Sequence, residues 1–142
     1  MKKILIINGP NLNMTGIREP EIYGSKTLSD INGLIKEKAD ELGVAVEFYQ
    51  SNCEGSIIDR IHQAYNEQDG IIINPGAYSH YSLAIADALR AVNIRTIEVH
   101  ISNVFKRESV RTEMVTATAA DVVISGAGWY SYILALEALC NV

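Results

Sequence analysis

Five short apolar runs rich in β-forming residues recur along this chain, at Lys3–Asn8, Val44–Gln50, Gly70–Asn74, Arg95–His100 and Asp121–Ser125, and the stretches between them carry helical period. That alternation limits the fold more than any other feature. The clearest helix is expected over Thr27–Leu42, where Thr27 and Asp30 form a capping box, Leu28, Ile31, Leu34, Ile35 and Leu42 mark one apolar stripe, and Gly43 ends the run. A second is expected over Ser56–Glu67 with Ile57, Ile58, Ile61 and Tyr65 inward. Two more are expected over Tyr81–Ala91 and Trp129–Cys140.

Strands separated by helices pair in parallel through right-handed crossovers, and near-continuous apolar strands such as Ile71-Ile72-Ile73 and Val122-Val123-Ile124 suit a sheet covered on both faces. Five such units predict an α/β fold: a five-stranded parallel sheet in the flavodoxin-like order 2-1-3-4-5 with helices on both faces. In such a sheet the ligand crevice lies beyond the carboxyl ends of the strands, where the winding reverses, here between strands 1 and 3. The loops after strands 1, 3 and 4 therefore matter most.

With 142 residues, 48% hydrophobic and 20% charged, the chain has the size and balance of one catalytic domain spanning residues 1–142. A formal charge of −5 argues against nucleic acid, whose binders need a basic face. No apolar run reaches membrane-spanning length, and Ile4–Ile7 after Met1-Lys2-Lys3 is too short for a secretory leader, so a cytoplasmic protein without membrane contact is expected. Cys53 and Cys140 lie far apart in the sequence and are read as inert thiols.

The three loops carry unusual polar residues. After strand 1, "INGPNLNMTGIREPEIYGS" (Ile7 to Ser25) holds two prolines, three glycines, three asparagines, Arg18 and Tyr23; strand 3 runs into "NPGAYSH" (Asn74 to His80), and strand 4 ends in "EVHISN" (Glu98 to Asn103). Asparagine, glycine and proline also make turns, and a lone histidine is often structural. Their concentration at neighbouring strand ends favours a site. His62, on a helix away from these loops, is read as structural.

Other uses of the crevice lack their residues. There is no GxxxxGK[ST], and "GAGW" (Gly126 to Trp129) is not a dinucleotide fingerprint. A phospho-acceptor receiver would need acidic residues and a lysine where Asn8, Asn74 and Ser125 stand. His80 and His100 come with asparagines and serines, poor zinc ligands, so no metal is expected. What remains is acid–base chemistry on a small polar substrate. Histidine exchanges protons near neutrality, whereas a tyrosine becomes a base only where a cation favours its phenolate. Arg18 and Tyr23 fit that description, and they equally fit a surface ion pair of Arg18 with Glu19 or Glu21 beside an anchoring tyrosine.

The segments "INGPNLN", "REPEIYG", "QSNCEG", "INPGAYSHYS", "EVHISN" and "SGAG" resemble, in order and across nearly the whole chain, the type II 3-dehydroquinate dehydratases. The resemblance implies a flavodoxin-like subunit, assembled as a dodecamer of trimers, that converts 3-dehydroquinate to 3-dehydroshikimate in the shikimate pathway without cofactor or metal. It further implies Tyr23 as the base, with Arg18 keeping it ionised, Asn11 as an enolate stabiliser acting through water, and His100 as the acid, oriented by Glu98. Asn74, His80, Ser102, the Ile101 backbone and Arg111 would hold the substrate, and Asp87, on the helix after strand 3, would face the site from or near a neighbouring subunit. The stretch "KRESVRTEMVTATAADVV" (Lys106 to Val123) departs from the family pattern; Arg107 and Arg111 keep their register, but Ser109, Val110 and Thr112-Glu113-Met114 are atypical. Two rivals share the fold: a non-catalytic ligand-binding module, and a lyase acting on a related cyclic hydroxy-ketone.

Overall fold

A computed structural model describes all residues, 1–142. Five strands form one parallel sheet: β1 (Lys3–Asn8), β2 (Ala45–Gln50), β3 (Gly70–Asn74), β4 (Arg95–His100) and β5 (Val122–Ser125). Their spatial order is β2-β1-β3-β4-β5, the flavodoxin-like order that the alternation predicts. Helices α1 (Pro20–Tyr23), α2 (Leu28–Leu42), α3 (Glu54–Gln63), α4 (Leu83–Val92) and α5 (Tyr130–Asn141) complete the α set.

The period of two along each strand divides the core. Ile4, Ile6, Ile72, Ile97 and Val99 face α2 and α5, where Ile31, Ile35, Ala39, Ile133 and Leu136 meet them. Leu5, Ile7, Ile71 and Ile73 face the opposite way, onto Ile57 and Ile61 of α3 and Ile85, Ala88 and Leu89 of α4. The same alternation turns Thr96, Glu98 and His100 away from α5. Three polar side chains on one strand face need polar partners above them, which irregular turns supply.

Local signals explain the element ends. Thr27 Oγ1 accepts from the Asp30 N–H and Asp30 Oδ2 accepts from the Thr27 N–H, both at 3.1 Å, forming the expected capping box. Gly43, at φ +71°, ends α2 in the left-handed region. Elsewhere the expected ends shift by one to four residues, most at the end of α3, and one helix side chain changes place. Tyr65 is 59% exposed rather than inward, because α3 stops at Gln63 and the chain reverses through Asn66 at φ +62°.

Parallel register then sets the site. Asn8, the last residue of β1, stands opposite Asn74, the last of β3, and His100, the last of β4, stands opposite Ser125. Gly9 lets the chain leave β1 at that edge, since a Cβ there would lie 2.6 Å from the Pro75 carbonyl oxygen.

Candidate active site

A cleft opens at the carboxyl ends of β1, β3 and β4, where the fold places ligand crevices. Asn11, Arg18, Tyr23, Asn74, His80, His100, Ile101, Ser102 and Arg111 line it, as does Arg107. Nine of the eleven residues singled out from the sequence therefore share its wall. Glu98 lies beneath it. Asp87 does not reach it: on the exposed face of α4, its Oδ1 lies 3.5 Å from Arg90 of the same helix.

The long segment after β1 is organised rather than loose. It makes a 3-10 turn at Leu12–Met14 and the one-turn helix α1, whose first residue, Pro20, is pre-set for helical φ. Tyr23 ends α1 and is thereby aimed into the cleft. Its phenol oxygen accepts a hydrogen bond from Arg107 Nη1, which arrives from the loop after β4. The Arg18 guanidinium instead lies 4.9 Å from the ring centroid, in cation–π range, with that of Arg107 at 5.2 Å. Two cations thus border one phenol, and the one on the oxygen is not the one its nearness in sequence suggests. Arg107 Nη2 also lies 3.5 Å from Glu19, the residue leading into α1.

The other polar groups are fixed by neighbours. Asn11 adopts the left-handed region (φ +69°), which asparagine tolerates, and its N–H donates to Asn52 Oδ1 at 3.0 Å. Asn52 and Gln50, from the end of β2, brace this turn, the Gln50 amide donating to the Gly9 carbonyl at 3.1 Å. Asn74 donates through Nδ2 to Tyr132 Oη at 3.0 Å and accepts from the Gly76 N–H at 3.2 Å. Tyr132 in turn donates to Asn8 Oδ1 at 2.5 Å. Burial pushes the Tyr132 phenol far above its ordinary pKa, against a smaller opposing effect of the Asn74 hydrogen bond, so it remains a neutral donor.

The histidines are held by their far nitrogens. His80 Nδ1 lies 2.7 Å from the Glu113 carbonyl, which accepts only from an N–H, so Nδ1 carries the proton. His100 Nε2 lies 2.7 Å from Glu98 Oε2, with Glu98 fully buried and His100 only 6% exposed. This contact engages Nε2 and leaves Nδ1 without a protein partner. The two rings are nearly parallel, with centroids 6.4 Å apart. Arg111, at the rim, donates to Glu108 at 2.6 Å and helps hold that exposed carboxyl below the usual carboxylate range. No three His, Cys, Asp or Glu side chains converge as a metal site would require.

A cleft holding a phenol between guanidiniums and an imidazole backed by a buried carboxylate can remove one proton and deliver another. Residues 2–140 match the family model described as Dehydroquinase class II. A 3-dehydroquinate dehydratase of Caldicellulosiruptor bescii is 62% identical over 140 residues, covering 98% of this chain and 97% of that protein. Its counterpart in Clostridium perfringens is 59% identical over 140 residues, covering 98% of this chain and 97% of the relative. The crystal structure of a type II dehydroquinase from Butyrivibrio crossotus superposes with a TM-score of 0.96 at 51% identity, covering 97% of each chain. In sequence and in architecture alike, the chain belongs to the class II dehydroquinase family.

Proposed function

We propose that residues 1–142 act as one catalytic domain that removes water from 3-dehydroquinate to give 3-dehydroshikimate, a hydro-lyase step of the shikimate pathway carried out in the cytoplasm. The Tyr23 phenolate takes the proton alpha to the substrate ketone, breaking that C–H bond and forming an enolate. Arg107, hydrogen-bonded to the phenol oxygen, and Arg18, over the ring, both favour the anion that does this. Asn11 stabilises the enolate through a bound water. The enolate then collapses, the C–O bond to the hydroxyl breaks, and His100 Nδ1 protonates the departing oxygen so that water leaves. Glu98 holds the imidazolium that makes the donation. Asn74, His80, Ser102, the Ile101 backbone and Arg111 hold the substrate's hydroxyls and carboxylate, and neither metal nor cofactor takes part.

The observation that carries this reading is the placing of Tyr23–Arg107 and His100–Glu98 around one cleft. The test is to incubate the protein with 3-dehydroquinate and follow the ultraviolet absorbance of the conjugated product, in wild type and Tyr23→Phe. The phenylalanine keeps the ring and removes the proton-accepting oxygen, so turnover should fall by roughly 10²- to 10⁴-fold while ligand binding survives. Absence of product with the wild type, or near-normal turnover in the variant, would reject the scheme.

Asp87 enters only through assembly. In a dodecamer of trimers, Asp87 on the exposed face of α4 would approach the cleft of a neighbouring subunit.

A further inference from the structure

Both oxygens of the buried Glu98 carboxylate are in use. Oε2 accepts from the His100 ring at 2.7 Å and from Ser79 Oγ at 3.2 Å, and Oε1 accepts from Thr116 Oγ1. Ser79 and Thr116 have no exposed surface, so solvent does not reach this end of the pair. The two hydroxyls come from separate 3-10 turns, Gly76–His80 and Thr116–Ala119, which the backbone ties together: the Val115 N–H donates to the Ser79 carbonyl at 2.8 Å. The same stretch supplies the Glu113 carbonyl that holds His80. The segment whose sequence departs from the family pattern is therefore the template against which both cleft histidines are set.

We propose that Thr116 and Ser79 are positioning residues for the proton donor, fixing the Glu98 carboxylate as an anion so that the proton of the Glu98–His100 pair resides on the imidazole. The inference rests on the reading of His100 as the acid. A carboxyl buried without donors retains its own proton, because desolvation disfavours the charge; hydrogen bonds to the anion reverse that preference. Thr116 matters most, since it is the sole side-chain donor to Oε1, the oxygen that His100 does not use. Its bond also fixes the rotation of the carboxylate and hence the plane in which the imidazole lies. The titratable and charged groups facing the pair are His80, with ring centroids 6.4 Å apart, Arg18, Tyr23, Arg107 and Arg111 in the cleft, and the exposed Glu113 at its edge. The Thr116–Ala119 turn and the buried face of α4 bring none.

The test compares pH profiles of kcat for wild type, Thr116→Val, Thr116→Ser and Ser79→Ala. Loss of a donor to the anion raises the affinity of the coupled pair for its shared proton, and draws that proton toward Glu98. Thr116→Val should therefore lower kcat about tenfold with KM near its wild-type value, and move the alkaline limb upward by about one pH unit. Thr116→Ser should restore both, and Ser79→Ala should move the limb in the same direction. An alkaline limb that stays in place in Thr116→Val, or a Thr116→Ser variant as impaired as the valine, overturns the proposal. Should Thr116→Val fail to fold by circular dichroism, Ser79→Ala decides on the same criterion. His100→Asn separates the two levels of inference: near-normal turnover there sinks the reading of His100 as the acid, whereas a dead His100→Asn beside an unmoved Thr116→Val limb removes only the role of Thr116 and Ser79.

Discussion

The two guanidiniums beside Tyr23 act through different geometry, and their removal should have different consequences. Arg107 donates to the phenol oxygen, and a hydrogen bond to a charged partner is worth about 1.5–3 kcal/mol, so Arg107→Ala should move the acidic limb of the kcat profile upward by about one to two pH units. Arg18 sits over the ring, where a cation contributes nearer 0.5–1 kcal/mol, and Arg18→Ala should move the same limb by less than about one unit. The sign is the same in both cases: the anion loses a cation, so higher pH is needed to form it. A larger shift for Arg18→Ala than for Arg107→Ala would reverse the assignment. Sequence reading pairs Tyr23 with the arginine five positions away because nearness along a loop is visible there. The bond to Arg107 spans 84 positions, and nothing in either segment announces which cation the fold will bring to the oxygen. The pairing of Glu98 with His100 came from the family resemblance, and the strand accounts for it, since residues two apart on β4 share a face.

Helix α2 carries its own start and stop signals, and its ends were read almost to the residue. The Thr27 N–H, and after it the Thr27 hydroxyl, hold the Asp30 carboxyl below the ordinary carboxylate range. A carboxyl depressed in the folded state contributes stability above its unfolded pKa and loses that contribution as pH falls through the folded one. Asp30→Ala should therefore melt below wild type at neutral pH, with the gap closing as the solution is taken to about pH 3. A gap that persists in acid would assign the effect to something other than the charge. Helix α3 shows what happens without such signals: Cys53 makes no side-chain cap, so nothing local marks Glu54 as its beginning, and the break near Asn66 removed Tyr65 from the expected stripe. Helix α1 was missed because four residues are too few to show a period, although Pro20 marks its first position.

Across the whole molecule, the strand order followed from alternation, and register alone then set Asn8 against Asn74 and His100 against Ser125. Partners supplied by distant turns or helices, such as Thr116 and Tyr132, were not legible, because a buried threonine or tyrosine reads as ordinary core until the polar atom beside it is known. The outer face of α4 remains open, with Leu83 67% exposed beside exposed Ala84 and Asp87. If that face meets a neighbour, light scattering should return a trimer or a multiple of it; a fully active monomer would remove Asp87 from the chemistry. The link from Asn8 through Tyr132 to Asn74 also orders events in time. Synthesis delivers Asn8 well before Tyr132, which follows 124 positions later. A ribosome that has passed Arg111 has already made every residue of the cleft wall, yet Asn8 and Asn74 still lack the phenol that pairs them. The nascent subunit therefore carries an unfinished pocket until α5 docks and adds the Tyr132 phenol to the bond that the Gly76 N–H already makes to Asn74.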